Sequence, residues 1–268
     1  MKIKLAKIKI KKNTTSFSCL IDENFLNTTP DFITEINERL ENSILIKDSR
    51  SVKAGIVNYK NEKYFIKRYN DRGFLHRLKY IFRDTRAFNA IKIYVHLKSS
   101  DCKIKLPQHY CAIKSKKYFL GKTFSFLIQE FIESRISLEE LISKCRLSEH
   151  EYNKFINRTV SAISTMHKAN TFHGDAKLTN FYFQKDNNDY SCGLWDLDVA
   201  KIRINLPERY RERDLARLIA SFSELLNKGI EIESDESIIN TFIREYSKQT
   251  NIELNKQKLK EKVSEFKK

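Results

Sequence analysis

Residues 173–183 read HGDAKLTNFYF, a polar loop carrying His173, Asp175, Lys177 and Asn180 that runs straight into an aromatic, strand-forming triplet. Residues 192–196 (CGLWD) make a second short apolar run ending on Asp196, and residues 180–183 and 192–196 are placed to pair as a hairpin that brings Asn180 near Asp196. Before the loop, residues 148–169 repeat apolar positions at helical spacing behind a capping box, Ser148 with Glu151. After it, Asp214 lies in a helical stretch that begins near Glu208. Much earlier, Lys67 closes the strand Tyr64-Phe65-Ile66-Lys67, which the turn Lys60-Asn61-Glu62-Lys63 joins to Gly55-Ile56-Val57-Asn58-Tyr59.

These residue types, in this order, meet the demands of one chemistry. Moving a phosphoryl group from ATP needs a cation on the phosphates, oxygen ligands for Mg²⁺, and a carboxylate that orients the acceptor hydroxyl and receives its proton. Asp175 and Asn180 lie five residues apart, Lys177 between them can reach a transferring phosphate, and Asp196 adds a second carboxylate at a strand end. One Asp and one Asn suffice for Mg²⁺, which keeps several waters and takes its remaining oxygens from phosphates. Singly, Lys67 reads as a solvated strand-end lysine and His173-Gly174-Asp175 as a loop turn. Together they follow the kinase order of a strand lysine, H-x-D-x-K-x-x-N and apolar-apolar-Asp.

Of the 268 residues 41% are hydrophobic and 12% aromatic, enough for a core, while six glycines and three prolines exclude collagen-like and linker-rich classes. The five cysteines (Cys19, Cys102, Cys111, Cys145, Cys192) are far apart without ligand spacing and read as reduced, packed thiols. The opening MKIKLAKIKIKK has no signal-peptide core, and no apolar run reaches the roughly eighteen residues of a spanning helix, so a soluble intracellular chain is expected. The net charge is +16, and residues 1–120 hold 26 Lys and Arg against 11 Asp and Glu, whereas residues 121–268 hold 24 against 23. Residues 63–122 contain 16 basic residues, three Asp and no Glu. This one-sided excess implies an anionic partner for the first half, set against the plainer reading of a solubilising surface.

Strands are expected at residues 3–5 and 8–10, at 55–59 with 64–67, and across 117–132; a short helix is expected at 31–40. Apolar residues at 74, 75, 78, 81, 82, 88, 91, 94 and 95 predict one long helix over residues 74–97. Ser137 with Glu140 opens another helix, and the chain beyond Glu208 is helical with a frayed end at 254–268. The plan is α+β and two-lobed: a strand-rich, basic lobe over residues 1–132 and a mainly helical lobe over 133–268.

The stretches 64–88 (YFIKRYNDRGFLHRLKYIFRDTRAF), 127–133 (LIQEFIE), 173–183, 193–202 (GLWDLDVAKI) and 211–218 (RERDLARL) together resemble the protein-kinase-like superfamily, and within it the bacterial lipopolysaccharide core kinases that phosphorylate heptose or Kdo. The resemblance covers about residues 50–220. It implies a two-lobed protein-kinase-like fold, ATP and Mg²⁺ as cofactors, and a lipopolysaccharide core acceptor met at the cytoplasmic face of the inner membrane, an anionic surface to which the protein would be peripheral. It implies Asp175 as catalytic base, Lys177 on the γ-phosphate, Lys67 on the α/β-phosphates, and the backbone around Gln129, Glu130 and Phe131 as the adenine-holding hinge. Asn180 and Asp196 would bind Mg²⁺, Asp198 would add a further ligand, and His173 and Asp214 would brace the loop.

The chain departs from the pattern in three places. No G-x-G-x-x-G loop precedes Lys67, so residues 49–54 would cover the phosphates beside a lone Gly55. No Glu occurs between Glu62 and Glu130 to pair with Lys67, which leaves Asn89 or Asp84 as substitutes. Asp198 stands where a glycine is usual. With 17 residues between Asp196 and Asp214 and no Ala-Pro-Glu motif, a protein acceptor is disfavoured. Arg68, Arg72, Arg77, Lys79, Arg83 and Arg86 around Phe74, Leu75, Leu78, Ile81 and Phe82 suggest a membrane-interface helix, against the plainer reading of a packed helix with solvated arginines. Another small-molecule or protein kinase, a pseudokinase and a basic nucleic-acid-binding module stay open beside this reading. No nucleic-acid-binding motif is visible, so nucleic acid is not expected as a partner.

Overall fold

Strands β1 (Leu5–Lys12), β2 (Thr15–Asp22), β3 (Ile44–Asp48), β4 (Val52–Tyr59), β5 (Glu62–Tyr69), β6 (His109–Lys117) and β7 (Thr123–Glu130) pair antiparallel in the order β1-β2-β6-β7-β5-β4-β3. The computed structural model describes residues 4–26, 30–70, 73, 84–100, 102–117, 123–144, 148–187, 189–226 and 234–267. β4 and β5 turn through Lys60 and Asn61 alone, at φ of 50° and 64°. Two successive left-handed residues give the tight turn that matches strand twist.

One face of this sheet is closed by the helix Pro30–Glu41, whose Phe32, Ile33, Ile36 and Leu40 are buried against Val57, Tyr64, Ile66, Ile113, Phe126 and Ile128. Burial of each such side chain contributes about 1.5–3 kcal/mol. Gly55 lies under the chain leaving that helix: a Cβ there would stand 2.5 Å from Ser43 Oγ and 2.9 Å from the Ile44 carbonyl. Its missing side chain is thus explained by close packing, while Ser49 turns the β3–β4 corner by bonding Val52. Arg68 is also structural, buried with hydrogen bonds to Asn37 (2.6 Å), Glu41 (2.6 Å) and Asn70 (2.9 Å). It belongs to the sheet, contrary to its expected place on a membrane-facing surface.

The helix expected over residues 74–97 is observed as Arg86–Ser99, where Thr85 Oγ1 accepts from the Phe88 N–H at 3.4 Å and marks a new start. Residues 74–83 lie outside the described residues, and with them the proposed interface segment. The chain divides into two compact units, residues 1–99 with 107–132 and residues 100–106 with 133–268. Residues 100–106 join the second unit because Lys105 bridges Gly193 and its carbonyl accepts from Leu194 N–H at 3.0 Å.

In the second unit, β8 (Arg135–Ile136), β10 (Phe181–Asp186) and β11 (Asp189–Leu194) form a small antiparallel sheet, and β9 (Thr171–Phe172) pairs with β12 (Lys201–Ile202). Both expected capping boxes are present: Ser137 with Glu140, and Ser148 with Glu151 ahead of the helix Glu149–Lys168. The helices Glu208–Leu226, Asp235–Thr250 and Lys256–Phe266 follow. The last was expected to fray. Instead Asn255 caps it, Leu259 and Val263 are buried, and Lys262 pairs with Glu212 of the helix Glu208–Leu226. Among the described residues no helix is long and apolar enough to cross a membrane.

Candidate active site

The helix Glu149–Lys168 ends at Ala169, Asn170 reverses the chain at φ 54°, and β9 delivers His173. Gly174 sits at φ +82°, and a Cβ there would meet the Val199 carbonyl at 3.2 Å, so both conformation and space call for glycine. The loop then closes through the 3₁₀ turn Leu178–Asn180 into β10, with Leu178 N–H donating to Ser221 Oγ at 2.9 Å.

A buried carboxylate holds this loop. Asp214 accepts from His173 N–H at 2.7 Å and Gly174 N–H at 2.9 Å, and His167 Nε2 lies 3.2 Å away. Beside the carboxylate His167 Nε2 carries the proton, so Nδ1 accepts from Tyr246 hydroxyl at 2.8 Å, and Arg211 donates to that hydroxyl at 3.2 Å. Burial holds the His167 pKa below 6.5 although the Asp214 hydrogen bond opposes it, so the ring is neutral. His173 is fixed likewise: its Nδ1 accepts from Asp175 N–H at 3.3 Å, and Nε2–H donates to the Trp195 carbonyl at 3.3 Å. The loop is thereby tied to the strand end that presents Asp196. Trp195 closes the same junction, its backbone N–H on Asn180 O at 3.1 Å and its indole N–H on Thr179 O at 2.8 Å.

The chemistry-bearing atoms lie on this brace. Asn180, buried, donates Nδ2 to the Asp175 carbonyl at 2.7 Å and to Asp175 Oδ2 at 3.2 Å, which turns its oxygen Oδ1 away from Asp175. Lys177 Nζ is 3.8 Å from Asp175 Oδ2, and Arg217 of the helix Glu208–Leu226 holds Oδ1 at 2.5 Å. Asp196 has φ 60° and ψ 55°, a left-handed conformation that non-glycine residues adopt at a cost and that recurs at functional sites. Asp198 is buried in the turn Leu197–Val199. An amide oxygen from Asn180 and carboxylates from Asp196 and Asp198 are hard oxygen donors, which fit Mg²⁺.

In the first unit, Lys67 pairs in register with Ala54 and Leu127, and Phe65 pairs with Gln129. Ile66 and Ile128 point into the core, so Lys67, Ala54, Leu127 and Gln129 share the opposite face of the sheet. Lys67 Nζ lies 5.3 Å from the Tyr69 ring centre. Asp84 is paired with Lys92 at 2.6 Å. Glu130 uses its N–H on Gln108 O and its carboxylate on Gln108 N–H, so it fixes the chain around β6, and Phe131 follows it at the end of this unit.

Arg217 was not singled out from the sequence, although it stands three residues beyond Asp214, one turn along the same helix, where a second inward residue is expected. His167 was hidden within an ordinary amphipathic helix, and Tyr246 in a distant one.

The profile of the Lipopolysaccharide kinase (Kdo/WaaP) family matches residues 27–246. The chain belongs to this family. Its fold is that of the kinase-like WaaP: a solved structure, "WaaP in complex with acyl carrier protein", superposes with a TM-score of 0.63 at 16% identity, covering 93% of this chain and 99% of that one. Among curated proteins, an Arabidopsis thaliana CBL-interacting serine/threonine-protein kinase 8 is 24% identical over 32% of this chain and 19% of its own length. Protein kinase kin1 of Schizosaccharomyces pombe is 24% identical over 46% of this chain and 13% of its own. The chain thus spans less than a fifth of those curated relatives, while the Kdo/WaaP family profile runs through both units.

Proposed function

We propose that this Kdo/WaaP family member transfers the γ-phosphate of ATP to a sugar hydroxyl, on heptose or Kdo, of the lipopolysaccharide inner core, working peripherally at the cytoplasmic face of the inner membrane. The observation that carries the reading is the Asp175–Asn180 pair. Asn180 fixes both the backbone and one carboxylate oxygen of Asp175, so this carboxylate meets an acceptor hydroxyl in a set orientation and takes its proton. Lys177 steadies the γ-phosphate and Lys67 the α/β-phosphates, and the backbone of Gln129–Phe131 takes adenine. Residues 1–132 serve as the nucleotide-covering lobe and 133–268 as the catalytic lobe. Asn180 and Asp196, with Asp198 beside them, would hold Mg²⁺, which supplies positive charge to the phosphates when bound. The +16 net charge favours anionic partners such as the glycolipid, and the acyl carrier protein bound by WaaP suggests a protein partner beside it.

The test is mass spectrometry of the lipopolysaccharide core from cells with the gene, without it, and with Asp175→Ala. Loss of one phosphate in both altered strains supports the assignment, and fragment ions then locate the sugar. A core unchanged by deletion of the gene overturns it.

A further inference from the structure

Between β12 and the helix Glu208–Leu226 the chain turns outward and exposes two isoleucines, Ile202 at 44% and Ile204 at 96% of their surface. The turn is a built one. Arg203 N–H donates to Asn170 O at 2.8 Å, Leu206 N–H to Asn170 Oδ1 at 3.1 Å, and Leu206 is buried beneath. Arg203 also lies 5.1 Å from the Tyr210 ring centre and donates to its hydroxyl at 3.3 Å. An apolar pair is therefore held rigidly into solvent by polar anchors that do not need it to be apolar.

The surrounding charge identifies what such a tip meets. Lys201, Arg209 and Arg213 are exposed beside it with Arg203 half-buried, and Glu208 is the one exposed acid of residues 201–213. Arg209, Arg213 and Arg217 follow one another at four-residue steps on a single helix, so they line one face over about 12 Å. That row ends on Asp175, whose Oδ1 is 2.5 Å from Arg217. β9, the partner of β12, leads directly into His173. The other exposed apolar run among the described residues, Ile44–Ile46 on the edge strand β3, is flanked by Lys53 already paired with Asp48 and Glu41, and lacks this one-signed charge.

We infer that Ile202 and Ile204 insert into an anionic lipid leaflet, and that the Arg209–Arg213–Arg217 row leads the anionic head of the leaflet's glycolipid toward Asp175. Aliphatic side chains ringed by cations are the chemistry of interfacial binding. This inference rests on the proposed acceptor being a membrane glycolipid, and the experiment separates the two.

The full chain is sedimented with phosphatidylethanolamine vesicles that contain or lack phosphatidylglycerol, and phosphorylation of deacylated core oligosaccharide is assayed in parallel. The wild-type chain is expected to partition onto the anionic vesicles, and Ile202→Ser/Ile204→Ser to lose about ten-fold of that partition with unchanged activity on the deacylated acceptor. Ile204→Trp is expected to shift its emission to the blue only with anionic vesicles, which checks insertion without removing apolar surface. Equal partition of wild type and the double variant, or no partition of either, overturns the tip and returns the isoleucines to a protein partner. Absence of transfer to any core acceptor, with partition lost in the double variant, strikes the proposed function and leaves the lipid contact standing.

Discussion

Around Ile66 the first unit builds a continuous apolar layer from two helices, Glu23–Leu26 and Pro30–Glu41, and six of its seven strands, and Arg68, the one buried Lys or Arg among its described residues, sits at the margin on Asn37 and Glu41. Around Asp214 the second unit buries a carboxylate, two histidines and a tyrosine in one connected hydrogen-bond network. Apolar packing is non-directional and tolerates changes that keep volume. A buried polar network needs every member, because each unpaired group costs its full desolvation. Two of the three departures from the kinase pattern fall on one side of this division, and the third, Asp198 in a glycine's place, lies in the networked unit. The missing glycine-rich loop and the absence of any Glu between Glu62 and Glu130 both fall in the apolar unit. Asp175, Lys177, Asn180, Asp196 and Asp214 all belong to the networked one.

The contrast can be broken most directly at its chemical end. Asp175→Ala is expected to lower the transfer rate about 10²- to 10⁴-fold while leaving the thermal midpoint unchanged, since the carboxylate is held at a partly exposed position by Arg217 and Lys177. Initial rates beside a melting curve check it, and an equal fall in both would show that Asp175 belongs to the brace.

Next comes a near-isosteric change in the brace itself. Asp214→Asn replaces one acceptor oxygen by a donor facing the N–H groups of His173 and Gly174, at a cost of about 2–4 kcal/mol. Denaturant unfolding measures it, and a loss below that of a core methyl would erase the distinction between the units.

A pH dependence follows from the same network. Burial keeps the folded pKa of His167 below 6.5, so below that value the unfolded chain binds the proton more readily. Stability present above pH 6.5 is lost as pH falls through the folded value, by up to about 1.4 kcal/mol per pH unit. Unfolding titrations of wild type and His167→Asn are expected to diverge in slope over that window, and parallel slopes would remove His167 from the account.

The smallest effect belongs to the apolar unit. Ile36→Val, in the helix that closes the sheet, is expected to cost about 0.5–1.5 kcal/mol with transfer activity unchanged, and a concurrent loss of activity would mean that this apolar packing also sets the activity.

What could be read from the chain was mostly local. The hairpin through Lys60 and Asn61, both capping boxes and the β10–β11 pairing came from spacing, because turns, caps and adjacent strands depend on residues within a few positions of each other. β2 and β6 escaped notice since Ser and Lys alternate with their buried residues and the strands pair with each other across almost one hundred positions. The helix Lys256–Phe266 was misjudged for the same reason: its charge-rich sequence suggests fraying, and only burial of Leu259 and Val263 with the Lys262–Glu212 pair holds it.

By itself the sequence determined which chemistry the loop can carry, because Asp175, Lys177 and Asn180 lie within six residues and Asp196 follows one hairpin later. Tertiary structure decided how those groups are held. His167, Tyr246 and Asp214 come from three helices as much as 79 residues apart, and Arg217 reaches Asp175 from 42 residues away. No local pattern announces such partners, since burial and hydrogen-bond direction arise only when the helices pack. The tip at Ile202 and Ile204 is of the same kind: two isoleucines in a sequence suggest a core, and the fold leaves them in water beside a row of arginines.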